Sequence, residues 1–123
     1  MREAIYNTLS KQSKKITHWL QPYVASPSTP KPFGVIQFQG RIPENVVSTF
    51  QDFTVWVYFE DGDFIPIDEA VKEIKQILHR RRLLASDGRL FEVKWTMDGR
   101  DFYDDALKAF AMNIEFTIPG GVY

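Results

Sequence analysis

The chain contains no cysteine, only two histidines and no long apolar run. Without cysteine there is no disulfide framework, no thiolate zinc site and no cysteine nucleophile, and the composition suits a reducing compartment. No stretch approaches the ~20 apolar residues that a membrane helix needs. The N-terminal "MREAIYNTLSKQSKK" lacks a signal-type apolar run, so the expectation is a cytoplasm-like compartment and no membrane contact. Basic excess is missing too: the net charge is −1, which argues against a general polyanion binder.

Catalytic signatures are equally sparse. His18 sits beside Trp19 near an expected helix end, and His79 opens a basic cluster; neither lies in a nucleophile elbow, and no G-x-S-x-G occurs. Asp61 and Asp63, and the group Asp98, Asp101, Asp104 and Asp105, could be drawn as metal ligands or paired acids. The EF-hand spacing is absent, however, and Asp-Gly steps are ordinary turn chemistry. "PGG" near the C-terminus has no following helix or lysine, so nothing cradles a phosphate. The reading is a non-enzymatic chain with no cofactor and no metal.

What the sequence does hold is aromatic surface. Ten Phe, five Tyr and three Trp in 123 residues exceed what one small core needs, and surplus aromatics favour interfaces. The length is that of one domain, 1–123.

Ile5, Tyr6, Leu9, Ile16, Trp19 and Leu20 recur at helical spacing from Arg2 to Leu20, with a polar gap at Gln12 and Ser13. Pro22 ends that stripe, and "PYVASPSTPKP" follows as an extended strap. "FGVIQFQ" (33–39) predicts a short strand, and "GRIPENVVSTFQ" a long connection of the kind that is often functional. After a strand over 52–60 and a turn at "EDGD", Ile67, Ala70, Val71, Ile74, Ile77 and Leu78 make an unbroken stripe. It predicts a helix from Pro66 to Arg82, with Asp68 and Glu69 at its start and His79 to Arg82 at its end, as the helix dipole favours. "SDGR" is a turn, "FEVKWTM" alternates as a strand, "DGRDFYDD" (98–105) reads as a charged connection, and "FAMNIEFTI" is the last strand. The expected fold is α+β in the order α-β-β-α-β-β: a mostly antiparallel four-stranded sheet, the amphipathic helix packed on one face, and an N-terminal helix.

The strand "DFTVWVYFE" raises a question of coverage. Phe53, Val55, Val57 and Phe59 face one side; Trp56 and Tyr58 face the other. Part of the second face could be covered by Ile5, Leu9, Ile16 and Trp19 of the first helix, and the rest by a partner. Self-association through Trp56 and Tyr58, the loop residues Val46, Val47 and Phe50, and the tail residues Val122 and Tyr123 accounts for these features together. The opposite signs of "HRRR" (79–82) and "DGRDFYDD" would suit head-to-tail contacts. The competing reading is a single-stranded nucleic-acid module using Trp56, Tyr58 and Arg80, Arg81 and Arg82, though no RNP1-type motif is present.

Taken along the chain, "STPKPFGVIQFQG", the "VWVYF" strand, "IDEAVKEIKQILH" and "DGRDFYDDALKAFAMNIEF" resemble the tail terminator, or tail completion, proteins of long-tailed bacteriophages and prophage elements. The resemblance implies a subunit of a ring, a hexamer, that caps the tail tube, ends its polymerisation and offers the head-joining surface. Its partners would be itself, the tail tube protein and a head-completion or connector protein, in the virion tail or neck after assembly in the host cytoplasm. Ile42 and Glu44 in the long loop, and Arg100, Asp101, Asp104 and Asp105 in the acidic link, would contact tube or connector. Arg80, Arg81 and Arg82 would face a lumen through which DNA passes without sequence recognition. A head-side adaptor or stopper of the same neck is the near alternative.

Overall fold

A computed structural model of the chain describes residues 2–20, 28–38, 51–60, 64–85, 88 and 90–118. In chain order its elements are α1 (Arg2–Gln12), β1 (His18–Leu20), β2 (Phe33–Phe38), β3 (Gln51–Phe59), α2 (Ile65–Leu78), β4 (Arg81–Leu84), β5 (Leu90–Asp104) and β6 (Ala109–Ile118). The architecture is α+β, with the strands joined in the order β1-β2-β3-β6-β5-β4. The sheet has six strands rather than four, and it is mixed: β1 runs parallel to β2, and the other pairs are antiparallel.

The first additional strand, and the first two residues of the other, come from segments that read as helix. The first helix stops at Gln12 because the polar stretch after it offers no apolar face to bury. Glu73 of α2 then captures the turn: its carboxylate accepts hydrogen bonds from Ser13 Oγ (3.2 Å), the Lys14 amide (3.1 Å) and the Lys15 amide (3.0 Å). His18, Trp19 and Leu20 run on as strand beside Phe33, Gly34 and Val35. The second helix stops at Leu78, not Arg82. Arg80 takes a left-handed φ of 61°, which breaks the helical path, and its amide donates to Val93 O at 2.7 Å. Arg81 and Arg82 therefore open an edge strand, from which the Arg81 side chain still reaches back to a carbonyl in the last turn of α2.

The charged link "DGRDFYDD" is also corrected. It is strand as far as Asp104, paired with β6 from Lys94↔Thr117 to Asp104↔Ala109. The Asp98-Gly99 step, read as a turn, is an irregularity of that ladder. Gly99 lies so close over Asn113 that a Cβ would overlap its side-chain amide. The true reversal comes at residues 105–108, where Asp104 Oδ1 accepts the Leu107 amide at 3.0 Å and Lys108 adopts φ 53°.

The main core lies on one face of the sheet. Phe53, Val55 and Val57, with Ile36, Phe91, Val93, Ile114, Phe116 and Ile118, pack under the α2 stripe as expected. Phe53 stacks on Phe38 at 5.2 Å and on Phe116 at 5.3 Å. Each such side chain contributes roughly 1.5–3 kcal/mol before entropy. Ile5 and Leu9 of α1 are fully buried in this same cluster, so α1 does not cover the opposite face. Tyr6 anchors that helix by donating to Leu20 O at 2.6 Å.

At the β1 edge the Trp19 ring lies flat against Gly34. A Cβ on Gly34 would stand 2.7 Å from Trp19 Cε3 and 2.9 Å from Cη2, and closer still to Cζ3. Gly34→Ala is therefore expected to push the indole off the sheet and to cost about 1–3 kcal/mol as overpacking, measured by urea unfolding and by a red shift of tryptophan emission.

Candidate assembly surface

On the opposite face of the sheet the chain's own strands bring a second set of aromatic side chains together. Phe33 stacks on Tyr58 with centroids 4.7 Å apart, and Phe102, reaching in from the far half of β5, meets Trp56 edge-on at 5.8 Å. Val35, Ala109 and Ala111 complete a second buried cluster, rimmed by Leu20 and Leu107. Tyr58 is only 9% exposed and Trp56 is half-buried. The indole nitrogen of Trp56 is shielded and has no acceptor among the described residues.

Burial pushes the Tyr58 phenol up to about 12 from its ordinary 10.0, with the Asp104 carboxylate adding to the shift. A value raised in the folded state means that the unfolded chain loses its proton first. The associated stability is complete below pH 10 and disappears as pH rises towards about 12.

The remaining expected contact residues fall into two groups. Ile42, Glu44, Val46, Val47, Phe50, Val122 and Tyr123 lie outside the described residues. The others gather along one side of the sheet. Arg80 and Arg82 are exposed at the start of β4, while Arg81 donates to Gln12 Oε1 at 3.1 Å and to Ile77 O at 3.4 Å. Arg100 and Asp101 are exposed on β5, Asp105 is exposed in the following turn, and Asp104 is spent on closing that turn.

The structure adds residues to this side that periodicity missed. β4 pairs only with residues 90–93 of β5, so from Lys94 to Asp104 the outer edge of β5 carries no strand among the described residues. Trp95 (37% exposed) and Met97 (52%) project there. Strict alternation would bury both beside Phe91 and Val93, but Thr96 is an extra residue in the ladder and turns Met97 to the opposite face from Trp95. Leu84 and Leu90, partners in register at the end of the β4–β5 pair, are exposed as well.

Trp95 is the centre of a built polar cluster. Its indole N–H donates to Asp98 Oδ1 at 3.0 Å, and Asp98 Oδ2 accepts from Lys75 Nζ at 3.1 Å. The Lys75 ammonium also lies 4.7 Å from the indole centroid. The Trp95 amide, one of the outward-pointing donors of the edge, is capped by His79 Nδ1 at 3.0 Å. That bond makes Nδ1 an acceptor and leaves the proton of the neutral ring on Nε2. With Lys72 and Gln76, these residues line an open groove between α2 and β5. Among the described residues, no three His, Asp or Glu side chains converge as a metal set, and no helix is long and apolar enough to cross a membrane.

No family model matches the sequence, and no curated protein matches it. Among solved structures, the fold is similar to that of a chain in the virion of a native gene transfer agent particle. The TM-score is 0.67, the likeness covers 99% of this chain and 93% of that one, and the sequences are 12% identical. At that identity the likeness is one of fold.

For the second cluster, Tyr58→Phe is expected to remove the alkaline component of stability. Between pH 10 and pH 12 the unchanged chain should lose about 1–2 kcal/mol more unfolding free energy than the variant does, in paired denaturant titrations. Equal losses would mean that the phenol ionises freely in the folded chain.

Proposed function

We propose that this chain is a structural component of a phage-like virion, and within it a tail terminator: a non-enzymatic subunit that forms a ring on the end of the tail tube. The observation that carries the reading is the fold likeness to a virion chain, which runs nearly end to end on both molecules. The outer edge of β5, which carries no strand from Lys94 to Asp104 among the described residues, supports it, because an unpaired strand edge is a ready template for association. Termination would be an effect of shape: one face of the ring matches the last layer of tube and presents no site for the next, while the other face receives the head connector. On this reading the subunit is made in the host cytoplasm and ends in the neck of the virion as a hexamer, with Arg80 and Arg82 turned to a lumen that passes DNA. Arg100, Asp101 and Asp105 are the described candidates for tube or connector contact.

Tube protein polymerised with and without the chain tests the proposal by negative-stain imaging. Short tubes bearing a cap of added density at one end are expected, at a ratio of a few subunits per tube. Tubes of unchanged length with bare ends would overturn termination.

A further inference from the structure

The β5–β6 hairpin runs on past β4 to its turn at residues 105–108, with β6 held by β3 as far as Phe110; the turn end of this hairpin is its arm, and the groove between α2 and β5 lies nearer the other end. We infer that neighbouring copies are joined by the arm of one seated in the groove of the next. This rests on the ring reading above and names the contact that would build the ring.

The two surfaces are complementary in chemistry. Asp101 and Tyr103 stand two residues apart on one face of the arm; Asp101 is exposed and Tyr103 is 41% exposed, its ring edge-on to Phe110. Asp105 is exposed at the tip. The arm thus offers an aromatic ring flanked by carboxylates, and neither Asp101 nor Asp105 has an ion pair among the described residues. The groove offers an indole, Trp95, beside the ammonium of Lys72, while Lys75 is already paired with Asp98 and His79 accepts from the Trp95 amide. Lys72 also has no ion pair among the described residues, and the exposed Arg80 and Arg82 follow in the chain.

An arm cannot satisfy its own groove. Trp95 and Tyr103 lie on one strand opposite Phe116 and Phe110 of β6, six residues apart on that partner, which is roughly 20 Å of paired extended chain. The contact is therefore between copies. Because the two patches differ, it is head-to-tail and repeats from copy to copy, closing into a ring when the rotation allows. Backbone pairing along the edge is the poorer choice of contact, since the two ladder irregularities and the charges of Lys94, Asp98, Arg100 and Asp101 resist a flat added strand. Side-chain docking uses the same edge without needing it flat.

The absence of cysteine makes the test clean. Gln76 lines the groove, and Ala106 is exposed in the arm's turn. The Gln76→Cys/Ala106→Cys variant, assembled with tube protein and treated with a short bis-maleimide, is expected to give a ladder of covalent oligomers on denaturing gels. Lys72→Glu and Asp101→Lys, both exposed positions whose folding is checked by thermal melts, should each reduce the assembled fraction in native mass spectra roughly tenfold or more, and together should restore it. Capped tubes that yield only monomer bands, or single charge variants that assemble like the parent, would overturn the arm-in-groove contact and leave the ring reading standing. A chain that stays monomeric at every concentration and on tube ends would overturn both. Cross-links formed only to tube protein would reassign the groove and overturn the contact between copies.

Discussion

β5 carries more residues than its neighbours on one side can pair. It has fifteen, of which β4 takes Leu90 to Val93, while β6 pairs along the rest from the other side. Residues 94–104 therefore have no strand on their outer side among the described residues, and about every other one turns its backbone N–H and C=O to that edge, so much of the local structure follows from managing it. His79 caps one outward amide, the Thr96 and Gly99 irregularities bend the ladder, and Asp98 ties Trp95 to Lys75. The strand is long because it serves two ends of the molecule. Its first residues complete the main core through Phe91 and Val93, and its last deliver Phe102 to the far side.

That delivery resolves the problem of coverage set by β3. Both described helices occupy one face of the sheet, so among the described residues no helix lies over the indole and phenol of β3. They are instead enclosed by flat stacking within the sheet and by a ring reaching over from β5. Tyr58 is sealed well enough to hold its proton into strongly alkaline solution. The aromatic surplus is thus divided: part makes a second small core, and part, in Trp95 and Tyr103, remains outside.

The sequence was most legible where side-chain periodicity and burial agree. The α2 stripe from Ile67 to Leu78 is buried at every apolar position, and the alternation in β3 and β6 sorts their residues correctly between the two faces. It was least legible where a helix gives way to an edge strand. Trp19 continues the helical spacing of Ile5 and Leu9, yet its ring packs on Gly34 across a sheet. Arg81 and Arg82 suit a helix dipole, yet a left-handed Arg80 sends them into β4. Neither outcome can be read locally, because the deciding partners, Glu73 and Val93, are distant in sequence. The charged half of the candidate surface was visible as composition. Its apolar half was hidden, because an extra residue in a strand leaves no mark on an alternating pattern until the ladder is known.

The bond between Ser13 and Glu73 spans sixty positions. During synthesis the first helix leaves the ribosome well before the carboxylate that fixes its end has been made. At about 5–20 residues per second the wait is roughly 3–12 s. For that interval Ile5 and Leu9 have no groove to enter, since the helix that roofs them is not yet translated. The first helix can therefore dock only after the middle of the molecule has been made.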